Sequence, residues 1–239
     1  MKWVLITGSG KRLGKELAIR FAEKKYNIIL HYNSSKKDAL ATLTRLKEIG
    51  IDTLLVQGNL EIKKDIDSIF YHLKQEGITP DILVNNAAIY PTSKSLANTE
   101  LDLWDSTLNI NLRSTFYMSK LFSIEGKNGS KIVNIASLGA FHIWKERIPY
   151  NVSKAGVIQL TKALARELTP KIAVNSVSPG TILIANDEPS EPIQLNEKHI
   201  PFGRYGKPDD VFEAVYFFST CSNFITGQNI CVDGGFGLI

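Results

Sequence analysis

At 239 residues, 44% hydrophobic and 22% charged, the chain is long enough to bury a full core in one large α/β domain, 1–239, and its composition is that of a soluble globular protein. A formal net charge of +4 with scattered basic residues argues against a nucleic-acid surface, and the Lys-Lys pairs at 24–25, 36–37 and 63–64 read as solvated helix faces. No apolar run approaches the roughly 18–20 residues that span a bilayer, and Cys221, Cys231 and the dispersed histidines offer no metal-ligand spacing; the expectation is a cytoplasmic chain with reduced thiols, no membrane contact and no metal.

Residues 2–6, KWVLI, form a short apolar run predicted as a buried strand, which leaves no room for a preceding export signal. The next stretch, TGSGKRLG (7–14), contains Gly-Ser-Gly-Lys and invites comparison with a triphosphate-binding loop. That loop would need glycine where Leu5 stands and a metal-binding hydroxyl where Arg12 stands, so the triphosphate reading fails at two fixed positions. Leu13, Leu17, Ala18 and Phe21 then recur at helical spacing, which places Gly8, Gly10 and Gly14 at a strand-to-helix turn. Glycine there lets a pyrophosphate approach the backbone, and the helix N-terminus adds amide donors and a favourable dipole. The spacing G-x-G-x-x-x-G is one residue longer than the common dinucleotide fingerprint, and taken alone it also fits a tight turn with no ligand.

Beyond the first helix, strands are predicted at 26–30, 52–56, 81–85, 131–136, 171–177 and 228–232, and helices at 36–49, 62–76, 100–123, 150–168 and 208–219. This alternation implies a parallel sheet covered on both faces, and right-handed crossovers make it a single Rossmann-type doubly wound α/β sheet of about seven strands. The least regular segment, 181–207, holds three of the nine prolines and follows the sixth strand on the side where such sheets bind ligands. It reads as a substrate lid, with a surface loop carrying one short helix as the alternative.

Tyr150 and Lys154, four apart on a predicted helix, share one face. An ammonium beside a phenol favours the phenolate, which predicts a lowered Tyr150 pKa and an acid/base for a carbonyl or hydroxyl oxygen. Ser137, at the end of the fifth predicted strand, points toward the ligand side of the sheet, where its hydroxyl could hold the same reacting oxygen.

With TGSGKRLG, NNAA (85–88), Asn111 in NINL, SPG (178–180) and ITGQNICVDGG (225–235), these residues resemble the classical short-chain dehydrogenase/reductase family over nearly the whole chain. The resemblance implies that Tyr150 donates the proton in reduction, that Ser137 positions the substrate oxygen, and that Lys154 tunes Tyr150 and holds the nicotinamide ribose. It implies that Asn111 supports a water-mediated proton relay to Lys154; a structural kink in the long helix is the alternative, and Trp104 and Phe116 fit the family register with Asn111 rather than Asn109. By the same resemblance Gly8, Ser9, Gly10, Arg12, Leu13 and Gly14 cradle the dinucleotide, and Asn59 and Leu60 sit against adenine. Asn86, Ala87 and Ala88 line the cofactor, and Pro179, Gly180, Thr181 and Ile182 flank the nicotinamide. The chain departs from the family at Ala88 and Arg12, where glycine is usual or frequent.

The end of the second strand reads LHYNSSKK, with no acid before Asp38 to bind ribose hydroxyls. Asn33, Ser34, Ser35 and the Arg12 guanidinium would instead suit a 2′-phosphate, so NADP(H) is the expected cofactor. For the substrate, IPFGRYGKPDDVFEAVYFF and Ser137 resemble 3-oxoacyl-carrier-protein reductases, while TGSGKRLG, HYNSS, NNAAIYPT and LTPKIAVNSVSPGTIL are similar to pteridine and dihydromonapterin reductases. The latter typically carry Asp at the place of Ser137, so a carbonyl reductase of the oxoacyl-thioester type is favoured. A non-catalytic NADPH-binding sensor would be expected to lose the Tyr or Lys, and both are present. The resemblance further implies a homotetramer or homodimer packed through the helices at 100–123 and 150–168.

Overall fold

The computed structural model describes residues 1–92, 94–185 and 196–238. The short apolar runs become strands β1 (Trp3–Ile6), β2 (Asn27–Tyr32), β3 (Thr53–Gln57), β4 (Ile82–Asn85), β5 (Ser130–Ile135), β6 (Ile172–Pro179) and β7 (Asn229–Val232). Every neighbouring pair is parallel, in the order β3-β2-β1-β4-β5-β6-β7. The helices are α1 (Arg12–Glu23), α2 (Lys36–Ile49), α3 (Lys63–Gln75), α4 (Leu101–Leu108), α5 (Ser114–Glu125), α6 (Ile148–Leu168) and α7 (Pro208–Thr220). None of the helices among the described residues is long and apolar enough to cross a membrane.

Strand side chains alternate faces, so each strand feeds two cores. Val4, Ile6, Ile28 and Leu30 pack under α1, α2 and α7 through Leu17, Phe21, Leu46, Val215 and Phe218. Leu5, Ile29, Leu83 and Ile132 pack on the other face under α3, α5 and α6 through Ile66, Ile69, Met118, Phe122 and Leu164. Burying each such side chain contributes about 1.5–3 kcal/mol, which is why apolar residues fill both faces of the central strand positions. The pattern expected from the sequence is therefore the fold observed.

The chain steps outward from β1 to β3, then returns to the opposite side of β1 for β4. Loops leaving β1 and β4 diverge at that reversal and open a crevice at the strand C-termini. The β1 loop is tightly folded there. Gly8 has φ +63°, and a Cβ on Gly14 would overlap the Gly8 carbonyl oxygen and come within 2.6 Å of Asn86 Nδ2. Thr7 Oγ1 accepts from the backbone N–H groups of Asn86 and Ala87, both at 2.9 Å, which stitches the β1 and β4 loops together.

Most elements lie within two residues of their expected bounds, and two differences bear on the site. β2 runs on to His31 and Tyr32, because these residues pair with Val56 and Gln57 of β3. The single helix expected over 100–123 is α4 and α5 joined by a π-turn at Asn109–Arg113. Asn111 lies in that turn, buried, with its amide inserted against the β4 loop. Its Oδ1 accepts from Ile89 N–H at 2.8 Å, and its Nδ2 donates to Ile89 O at 3.0 Å and to Ser153 Oγ at 3.0 Å. The kink alternative thus describes the backbone at Asn111, and the kink serves to hold the β4 loop against α6.

Asn111→Ala removes partners from two backbone groups at once and is expected to cost roughly 2–4 kcal/mol in urea denaturation. Asn109→Ala, two residues away and partly exposed, is expected to cost under about 1 kcal/mol.

Candidate active site

The C-terminal ends of β1, β2, β4, β5 and β6 surround a cleft of about 490 Å³. Gly8, Gly10, Arg12, Leu13 and Gly14 form its wall at the β1 loop, and Asn33, Ser34 and Ser35 do so beyond β2. Asn59 and Leu60 reach it after β3, and Asn86, Ala87 and Ala88 after β4. Ser137, Tyr150 and Lys154 close the middle, with Pro179, Gly180 and Ile182 beyond β6. Residues separated by up to 170 positions in the chain are brought together because parallel strands deliver all their loops to one edge.

Three expected site residues stand elsewhere. Ser9 is fully buried, its Oγ donating to Ile6 O at 2.8 Å and accepting from His31 N–H at 3.0 Å, so it braces the loop from behind. Thr181 is not part of the cleft wall; its carbonyl accepts from Gly206 N–H at 3.0 Å. Asn111 is one layer back, acting on the wall through Ile89. Ile182 and Leu183 also meet Gly206, which clips together the ends of the segment 181–207. Residues 186–195 of that segment, the centre of the expected lid, lie outside the described residues.

The wall also contains Lys11, His31, Tyr32, Ile89, Ile110, Ile135, Ala136 and Ile184, which motif reading did not select. His31 and Tyr32 could have been found by carrying the second predicted strand two residues further. Ile135 also offers its carbonyl to Lys154 Nζ, a role that no side-chain pattern announces.

Ser137 stands beside the Tyr150 phenol in the cleft wall, and its Oγ accepts from Gly139 N–H at 3.1 Å. One helical turn on, buried Lys154 donates from Nζ to Ile135 O at 2.8 Å, and its ammonium lies 5.8 Å from the Tyr150 ring centroid. Desolvation pushes the Tyr150 phenol up to about 12, opposed by the Ser137 hydroxyl and helped by neighbouring Tyr90. Desolvation also brings Lys154 down to about 8. The expected lowering of Tyr150 by Lys154 is therefore corrected. The lysine spends its hydrogen bond on a backbone carbonyl, and loss of water around the phenol outweighs a cation held beyond its ring. At neutral pH the arrangement presents a neutral phenol able to donate a proton, with a second hydroxyl beside it and an ammonium behind it.

Tyr150 is held from the other side by an aromatic contact. Tyr90 meets it edge-on, with centroids 4.7 Å apart and an interplanar angle of 89°. The Arg147 guanidinium lies 4.2 Å from the Tyr90 centroid and donates to Pro91 O. Lys94 N–H donates to Glu146 O at 3.1 Å, so the loop after β4 is fastened to the turn before α6. Among the described residues, no group of three or more His, Cys, Asp or Glu is placed to hold a metal ion.

This geometry has close counterparts. Residues 8–237 match the sequence family described as enoyl-(acyl carrier protein) reductase. The chain is 32% identical over 243 residues to an NAD-dependent glycerol dehydrogenase of Listeria innocua, an alignment covering 98% of this chain and 93% of that protein. It is 31% identical over 244 residues to a 3-oxoacyl-[acyl-carrier-protein] reductase of Staphylococcus aureus, covering 98% and 97%. A solved short-chain dehydrogenase/reductase of Serratia marcescens superposes with a TM-score of 0.91 at 26% identity, covering 99% of this chain and 98% of that one. Sheet order, cleft and relatives agree along the full length: the chain belongs to the short-chain dehydrogenase/reductase family of nicotinamide-dependent oxidoreductases.

Proposed function

We propose that the protein is an NADPH-dependent carbonyl reductase acting on a small substrate of the 3-oxoacyl-thioester type. The observation that carries the reading is that Ser137 and Tyr150 stand together in the cleft wall, with Lys154 buried one helical turn beyond. Bound in the cleft, the reduced nicotinamide supplies the hydride. Ser137 holds the carbonyl oxygen, and Tyr150 gives that oxygen its proton as the alcohol forms. Lys154 keeps a positive charge near the phenolate left behind and contributes a donor toward the ribose. Retention of all three residues speaks against a sensor without catalysis. Ser137, where an acid would assist protonation of a ring nitrogen, speaks for a ketone over a pteridine.

The preference for NADPH rests on Arg12. Its φ of 53° puts a bulky residue in the left-handed region, which costs about 1 kcal/mol or more. Strain of that kind at the wall of a cleft points to work done by the side chain, and a guanidinium suits a 2′-phosphate. Asn33, Ser34 and Ser35 line the same end, and the first acid, Asp38, lies a turn into α2. The pairing of Ile182 and Leu183 with Gly206, with Ile182 and Ile184 in the cleft wall, supports the reading of 181–207 as a substrate lid.

The end of α4, the π-turn, α5 and α6 present a surface groove lined by Leu108, Leu112, Phe116 and Leu160, with Phe116 46% exposed. We propose that copies of the chain associate through it, as a homotetramer or homodimer. Sedimentation at assay concentrations is expected to show these larger species, and a monomer alone would overturn the assignment.

With NADPH and an acetoacetyl thioester, Tyr150→Phe is expected to lower kcat by about 10³-fold or more while the dinucleotide still binds, since the proton donor is lost and the cleft is not. For the wild type, kcat/KM should fall as the pH rises through about 8. Lys154 is depressed to that value, so its ammonium is present below it and lost above it. Turnover of dihydrobiopterin in place of the thioester would reverse the substrate assignment.

Arg12→Gly is expected to raise KM for NADPH by about tenfold or more and leave KM for NADH within about threefold, consistent with loss of one charge-assisted contact. Fold stability should change by under about 1 kcal/mol, because relief of strain offsets the entropy glycine adds to the unfolded chain. Equal effects on the two dinucleotides would remove the 2′-phosphate role.

A further inference from the structure

His31 is 1% exposed and forms part of the cleft wall, yet its ring nitrogens bond to backbone behind that wall. Nδ1 is 2.9 Å from the Gly8 nitrogen, and Nε2 is 3.0 Å from the Gly58 oxygen. A backbone N–H can only donate, so Nδ1 must be the bare nitrogen and Nε2 must carry the proton given to Gly58. A single tautomer therefore ties the glycine loop after β1 to the start of the loop after β3. The backbone of His31 is engaged as well: Ser9 N–H donates to its carbonyl at 2.8 Å, and its own N–H donates to Ser9 Oγ at 3.0 Å.

Gly8 is confined from the opposite side too. Its φ is +63°, and a Cβ there would stand 3.0 Å from Ala87 Cα. The residue thus sits between the β4 loop and the imidazole, and the orientation of its peptide is set by the hydrogen bond it gives to Nδ1. Burial supports the arrangement by holding the ring neutral, its pKa brought down to about 4, so that Nδ1 stays an acceptor at neutral pH.

We propose that His31 is a positioning residue for the dinucleotide: by accepting the Gly8 N–H it fixes the shape of the glycine loop against which the cofactor's pyrophosphate lies. The inference rests on the cleft being the nicotinamide-cofactor site. It makes no use of the substrate or of the choice between NADPH and NADH.

Two substitutions separate the two ends of the ring. In His31→Asn the side-chain oxygen occupies the place of Nδ1 by bond count, so Gly8 keeps an acceptor while Gly58 loses its donor. In His31→Gln the terminal nitrogen occupies the place of Nε2, so Gly58 keeps its donor while Gly8 loses its acceptor. Each variant leaves one backbone group unpaired, so both should lose a similar share of thermal stability. The Kd for NADPH, read by fluorescence titration, should rise about tenfold or more in His31→Gln and stay within about threefold of wild type in His31→Asn, as expected if one loop-setting hydrogen bond is decisive. A purely structural role would weaken both variants equally, and that result overturns the proposal, as does a His31→Gln variant that binds like wild type. Nitrogen NMR of the wild-type imidazole is a test that needs no variant: a proton on Nε2 is expected, and a proton on Nδ1 overturns the assignment. Wild type that binds neither NADPH nor NADH removes the cofactor reading and His31's role with it. Wild type that binds while His31→Gln is indifferent removes His31's role alone.

Discussion

The carbonyl oxygen of Gly8 occupies the space in which a side chain on residue 14 would begin. That close approach sets the entry of α1 against β1 and turns the loop between them toward β4. Asn86 secures it, donating from Nδ2 to Thr7 O at 2.9 Å and to Gly8 O at 3.2 Å. The topological reversal beside β1 only opens a crevice; this packing gives the crevice a fixed wall. Arg12 takes a left-handed backbone and His31 is committed to the Gly8 amide within the same few residues. Local strain is tolerated there because sheet and helix on either side are fully packed.

At the other end of the cleft the deciding term is desolvation. Tyr150 moves up to about 12 and Lys154 down to about 8, so burial favours the neutral form of each. A phenol that remains protonated is the right starting state for a donor, and the lysine is still cationic below its shifted pKa. Its hydrogen bond to Ile135 O fixes the ammonium at the end of β5, on the strand that also leads into Ser137. The Tyr90 ring, capped by Arg147, then limits how far the Tyr150 ring can move. Placement comes from strand ends and one helix face, and proton affinity from the removal of water.

Much of this was legible in the sequence, because the fold is written in features a linear pattern can carry. Runs such as YNIIL and DILVN are apolar on both faces, as a parallel sheet with two helical layers requires. Gly14, Ser137, Tyr150 and Lys154 could be assigned to the cleft because each lies at a predicted strand end or on one helix face. The π-turn at Asn109–Arg113 was legible only as the alternative of a kink at Asn111, since the contact it makes, with Ile89, spans 22 residues. The direction of the Tyr150 shift failed for a related reason. The i,i+4 spacing shows which charge is near, whereas the amount of water removed is a property of the whole fold. Ser9 was assigned to the cofactor by its place in the loop, but alternation along the turn faces it inward.

Chemistry and selectivity are built from different material in this protein. Ser137, Tyr150 and Lys154 are held by the sheet, by α6 and by buried hydrogen bonds, so they cannot move without disturbing the core. On the proposed function, the surfaces that meet the far end of a substrate come instead from the loops after β4 and β5 and from the described ends of 181–207, where Ile89, Ile182 and Ile184 line the cleft. Leu183, Phe141, Ile143 and Phe202 on these segments are exposed and make few demands on the fold. Substitution in them can change the preferred substrate while the sheet continues to deliver the same serine, tyrosine and lysine. On that division of labour, similarity of 32% to a glycerol dehydrogenase and 31% to an oxoacyl reductase, each over nearly the full chain, is what a shared core with separately variable loops produces.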